Sequence, residues 1–340
     1  GQGNPLLQAL HALRRAALAS IRRILPEPQA GLLAGILLGQ KRALPLEVMD
    51  QFNATGISHI VVISGWNITV LAALIARACR SWLGRRGAAL ASLAGVWVYV
   101  LFVGLEPPVV RAGVAGTLGL LALLLHRNAL AWNSLAAAGI AMTAWRPFLL
   151  WDASFQLSFA ATLGLIAFAS PLEAAARRWL ARHLPEEVAA RVVAWCNEPL
   201  FVSLAAQVMV LPLLVHGFGR LSLVAPLANL LVLPAQPLLM AWGALATALG
   251  MAWTPAGQVP GAVAWLLLTW TLGVADFLAR LPFASLEVPR WGWGLVVGYY
   301  LLLGAGVWLW RQPPKARRQR LGQAVAFARC FNPRPTRGGR

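Results

Sequence analysis

Apolar residues run through this chain in long blocks separated by short polar or proline-rich breaks. An α-helix needs roughly 20 apolar residues to cross a bilayer. Blocks of about that kind lie at 57–78, 88–105, 109–125, 129–144, 154–171, 200–218, 236–253, 259–281 and 291–310, with a shorter, proline-flanked one at 221–233. They predict about eight to ten crossings. The first thirty residues follow a different pattern. Leu6, Leu10, Leu13, Ala17, Ile21 and Ile24 recur at steps of three or four, with Arg14, Arg15, Arg22 and Arg23 on other faces. That is the stripe of an amphipathic helix over 5–25 lying in the membrane interface, with a helix docked on a partner as the other reading. Residues 31–40 are apolar but too few to span, which predicts a re-entrant or half-crossing piece. Residues 173–195 carry Arg177, Arg178, Arg182, Glu186, Glu187 and Arg191 and read as an interfacial helix pair broken at Pro185.

Composition agrees with this pattern. The chain is 59% hydrophobic and only 12% charged, where soluble domains carry about 25% charged residues. The fold class is therefore an all-α polytopic membrane protein. Three regions follow: an amphipathic interfacial helix at 1–30, a membrane domain at 31–310, and a basic tail at 311–340 whose Arg, Pro and Gly content reads as disordered. The net charge of +18 fits two readings. Basic loops and tail follow the positive-inside rule, or the protein handles a polyanion. By the loop rule, Arg77, Arg80, Arg85 and Arg86 lie in the cytoplasm and the 106–108 turn lies outside. Cys79, Cys196 and Cys330 are far apart and form no CxxC, so neither a disulfide framework nor a metal site is suggested. No HExxH, Walker loop or metal-spaced His/Asp cluster occurs, and neither enzymatic activity nor a cofactor is expected.

A few polar residues interrupt the apolar body, and hydrocarbon tolerates them only where protein or a wet cavity surrounds them. His59, Ser64 and Asn67 cluster in HIVVISGWN, with Gly65 able to break the helix. They read as buried, satisfied groups or as a ligand-facing break. Arg111 opens a block, either snorkelling to the interface or gripping phosphates. In WDASFQLSF, Asp152 is placed to N-cap a helix, and Gln156 lies inside that helix and needs a partner. Asn229 sits between Pro226 and Pro234, which implies a discontinuous helix of the kind found at transport sites or a packing kink. A Ser64 protease with His126 or His216 is disfavoured, because Val62 stands where a GxSG setting needs glycine.

Several of these segments occur in a fixed order: GLLAGILLGQKRALP, FNATGISHIVVISGWNI, VVRAG, RPFLLWDASFQLSFAATLGLI and QVMVLPLL…FGRLSLVAPLANLLVLP. In that order, over about 31–234, they resemble the competence domain of the ComEC family. The resemblance implies a channel that passes single-stranded DNA across the cytoplasmic membrane during natural transformation. It also implies membrane lipids as surroundings, a DNA receptor and a nuclease activity outside, and a cytoplasmic ATPase or helicase as motor. Family members usually add an OB-like domain and a metallo-β-lactamase-like domain, and this sequence shows the pattern of neither. The DNA path would be lined by His59, Ser64, Gly65, Asn67, Arg111, Gln156 and Asn229, with Arg111 on phosphates and no metal. The family usually reads SGLH where this chain has Ser64–Gly65–Trp66–Asn67, so Asn67 keeps hydrogen bonding but no acid–base capacity. Ala115 replaces a frequent methionine. A small-molecule or lipid-linked permease with its site at the broken helices is the alternative.

Overall fold

The structure, a computed structural model, describes residues 5–40, 43–61, 65–124 and 131–311. Of the expectations above, Ser64 and residues 312–340 lie outside the described residues. Residues up to Pro289 form one compact unit, and those from Arg290 form a second.

In the first unit, α1 (Pro5–Ile24) is the amphipathic helix that the spacing predicts. The next helix, α2 (Gln29–Leu38), is ten residues long, about 15 Å, half of what a crossing needs. Every residue from Ala30 to Leu38 is buried. A short helix enclosed in apolar surroundings must still satisfy its terminal N–H and C=O groups. Glu27 Oε2 accepts from the Gly31 N–H at 2.9 Å, and Arg14 Nη2 donates to the Leu38 carbonyl at 2.7 Å. An acid at the positive end and a base at the negative end also suit the helix dipole. Two short helices follow, α3 (Leu46–Ala54) and α4 (Ser58–Val61).

Helix α5 (Gly65–Val103) contains a non-helical residue, Gly84, at φ 65° and ψ −176°. A residue with a Cβ adopts that positive φ rarely, and glycine adopts it freely. The two arms fold back on each other: Ser92 Oγ donates to the Ala72 carbonyl at 3.0 Å, and Gly95 packs against Ile75. The arms hold residues 65–78 of the block predicted at 57–78 and most of the block at 88–105, while Ser58–Val61 of the first block form α4 instead; Arg77, Arg80, Arg85 and Arg86 lie around the exposed tip. Helices α6 (Pro107–Leu124) and α7 (Ala131–Trp145) follow, then a 3₁₀ turn at Pro147–Trp151.

Helix α8 (Ala153–Leu180) corrects one boundary. It runs through Pro171 and takes in the first part of the segment read as an interfacial pair, because a membrane helix tolerates an internal proline. Asp152 caps it as predicted, accepting from the Phe155 N–H at 2.8 Å. After Pro185 come α9 (Glu186–Cys196), a π-helical turn at Asn197–Val202, and α10 (Ser203–Phe218). Residues 221–233 are not a crossing by themselves. They hold β1 (Arg220–Ser222) and the eight-residue α11 (Ala225–Val232), which a 3₁₀ turn at Leu233–Ala235 joins to α12 (Gln236–Ala252). After α13 (Thr254–Ala279), β2 (Ser285–Glu287) pairs antiparallel with β1, a small ribbon that the apolar pattern gave no sign of.

Five helical stretches among the described residues are long and apolar enough to cross a membrane, and shorter apolar helices accompany them. With almost no strand, this is an all-α multi-pass membrane protein. The main core joins α1, α2, α3 and α4 to α11, α12 and α13. The C-terminal half of the expected apolar face of α1 is covered by protein: Ala17 and Ile21 are buried, Ser20 Oγ donates to the Thr247 carbonyl, and Ile24 fills the space left by Gly250, Gly257 and Gly261. The second unit is α14 (Trp293–Arg311), an apolar helix with Trp291, Tyr299 and Tyr300 in ring contact.

Candidate functional site

The polar residues of the membrane body settle into two pairs, and α8 and α10 relate them. Arg111 lies in the second turn of α6. Its Nε donates to Ser158 Oγ of α8 at 2.9 Å. A Cβ built on Gly65, the first residue of α5, would stand 2.8 Å from Arg111 Nη2. Glycine at 65 therefore leaves the room that the guanidinium occupies. The structure thus brings together Gly65, Arg111 and Ser158 from three helices. Among the described residues Arg111 has no carboxylate partner. A half-buried guanidinium held by a neutral hydroxyl keeps its full charge and further donors for an anion.

The second pair is Asn229 of α11 with Ser203 at the start of α10, Asn229 Nδ2 donating to Ser203 Oγ. Asn229 is 3% exposed, and its Oδ1 has no partner among the described residues. The break after α11 is the predicted discontinuity around Asn229 and Pro234. The two pairs share a helix interface. Under two turns beyond Ser158, Gly164 of α8 abuts the Ala205 carbonyl of α10 so closely that a Cβ would stand 2.3 Å from it. Ala205 lies in the first turn of α10, beside Ser203.

The remaining candidates take other places. Asn67 is buried, 4% exposed, in the first turn of α5. His59 is exposed, and its Nδ1 lies 3.2 Å from the Gly56 carbonyl of its own turn. Gln156 finds its partner locally, Nε2 donating to the Leu150 carbonyl at 2.7 Å across the cap of α8. Both of these bonds are local, and neither reaches Arg111. Gly56, at φ 73°, packs against Ser222 and Ala225. That contact sets the FNATGISH segment on the start of α11. Gly35 of α2 meets Val61 of α4 in the same way, and Tyr99 Oη donates to the Leu37 carbonyl at 2.9 Å. The ordered motifs are therefore neighbours in space as well as in sequence.

Sequence reasoning singled out the WDASFQLSF segment that contains Ser158 without giving that serine a role, and it missed Ser203. The available signal was a lone hydroxyl in an apolar helix, which usually bonds across helices. Among the described residues no group of side chains could hold a metal ion.

The description "Competence protein" belongs to the family that matches residues 36–313. The chain is a member of the competence protein family. The match covers both polar pairs and agrees with the resemblance read from the ordered motifs. ComE operon protein 3 of Bacillus subtilis is 25% identical over 236 residues, 69% of this chain and 28% of that protein. An uncharacterized protein, YcaI, of Escherichia coli is 26% identical over 66% of this chain and 29% of its own length. An uncharacterized Aquifex aeolicus protein is 28% identical over 62% of this chain and 45% of its own. The chain spans less than half the length of each. No solved structure matches.

Proposed function

We propose that this competence-family chain forms the membrane path by which single-stranded DNA crosses the bacterial cytoplasmic membrane during natural transformation. The observation that carries the reading is Arg111, a guanidinium within an apolar helix that is anchored by Ser158, cleared by Gly65 and without a carboxylate partner among the described residues. Such a group suits a passing phosphate. It is fixed in direction through Nε, and its remaining donors match a phosphate oxygen pair. It stands near the N-terminal end of α5, whose dipole adds positive potential. One such charge, rather than a row, lets a polyanion bind and leave again. Asn229, Ser203 and Asn67 supply amides and hydroxyls that replace water around a strand.

The path itself is passive in this reading. The chain has no nucleotide-binding loop, so a cytoplasmic ATPase or helicase draws the strand inward. A receptor and a nuclease outside deliver one strand of the duplex. The test is deletion of the gene in its native host, with labelled duplex DNA followed into a DNase-resistant cytoplasmic pool. Loss of that pool, with surface binding intact and restoration on re-expression, is the expected result. Unchanged uptake in a transformable host would remove the reading and leave the small-molecule permease, which should saturate with one solute and be stabilised by it.

A further inference from the structure

A cleft of about 530 Å³ opens where the polar side of α1 meets the end of α2, lined by Gln8, His11, Arg14, Arg15 and Gln40. Its chemistry is one-sided: two guanidiniums, an imidazole and two amides, with no carboxylate. Arg14 is held in place, its Nη2 on the Leu38 carbonyl, while its Nε is buried with no partner among the described residues. Arg15 is exposed beside it. Arg22, farther along α1, has Glu27 at 3.9 Å, but neither Arg14 nor Arg15 has a carboxylate partner among the described residues. Ser20 and Ile24 lock α1 onto α12 and α13, so the backbone that carries these donors is fixed before any ligand arrives. That fixation lowers the ordering cost of binding.

We propose that this cleft holds the phosphate of an anionic phospholipid. A row of positive donors with unfilled hydrogen-bonding capacity selects a phosphate group. A nucleic-acid strand fits less well, because a strand site pairs its charges with broad aromatic faces for the bases, and no Trp, Tyr or Phe lines this cleft. A lipid fits better. The cleft lies on a helix docked to two membrane-length helices. Basic pockets between membrane helices bind anionic headgroups in this way.

The protein is purified into nanodiscs of phosphatidylcholine containing phosphatidylglycerol, and the lipids retained after detergent exchange are identified by native mass spectrometry. Arg15→Gln is the variant to use, because Arg14 also caps α2. The expected result is retention of phosphatidylglycerol over phosphatidylcholine, reduced about fivefold in Arg15→Gln and unchanged in Arg23→Gln on the same helix outside the cleft. Equal retention in Arg15→Gln and the unaltered protein would overturn the proposal. Displacement of the lipid by a single-stranded oligonucleotide would also overturn it and assign the cleft to DNA. Thermal stabilisation by inorganic phosphate in lipid-free detergent, equal to that by phosphatidylglycerol, would assign it to a free anion instead.

Discussion

The helices of the main core and the two helices that carry Ser158 and Ser203 differ in how much of themselves they bury. The stretches Ala225–Ala252 and Thr254–Ala279 bury 39% and 33% of their most apolar windows inside the protein. Ala153–Leu180 and Leu200–Phe218 bury 17% each. The first group, with α1 and α2 set against it, is a scaffold of apolar side chains and glycine contacts. The second is more thinly covered and carries Ser158 and Ser203, the anchors of Arg111 and Asn229. Dense packing fixes the frame, and in the proposed reading the elements that face a transported strand keep fewer contacts, as moving or ligand-facing elements generally do.

Substitutions can break or sharpen that contrast. The largest loss is expected from Phe52→Ala, because Phe52 is fully buried in the scaffold core. It should cost about 3–5 kcal/mol, read as a lower unfolding midpoint in detergent. A midpoint close to that of the unaltered protein would show that the scaffold is not the stable half. A smaller loss, about 1–3 kcal/mol, is expected from Gly164→Val, which would push α8 off the Ala205 carbonyl. Gly116→Val on α6 is its control: nothing lies within 4 Å of a Cβ there, so its midpoint should stay within about 0.5 kcal/mol. If the two glycine variants melted alike, the contact between α8 and α10 would carry no weight. The smallest effect is the coupling between Arg111 and Ser158. A cycle of Arg111→Gln, Ser158→Ala and the double variant should return roughly 0.6–1.7 kcal/mol, and a coupling of zero would deny the bond any energetic role.

Much of this was legible in the sequence because membrane physics is strict. The apolar blocks, the amphipathic stripe of α1, the half-length of α2, the Asp152 cap and the break near Asn229 all follow from local pattern. Those patterns have one physical cause each, namely periodicity, length, cap chemistry or proline. What stayed hidden depends on contacts between distant segments. Nothing near Arg111 announces Ser158, 47 residues away. Gly65 suggested a helix break, and it does open α5, but that it also clears space for the Arg111 guanidinium depends on a distant segment. His59 and Gln156 were grouped with the pathway by their polarity, and local pattern did not show that each meets a backbone carbonyl in its own turn or cap. The expected end of α8 at Pro171 failed because proline stops helices less reliably in apolar surroundings than in water.

The central claim is that Arg111 meets the phosphates of a passing strand. The most direct measurement is DNA uptake in the native host with Arg111→Lys, Arg111→Gln and Arg111→Glu variants, each confirmed as folded and inserted. The account predicts partial uptake with lysine, which keeps the charge but not the fork, a severe loss with glutamine, and none with glutamate. Uptake in the glutamate variant equal to that of the unaltered protein would contradict it.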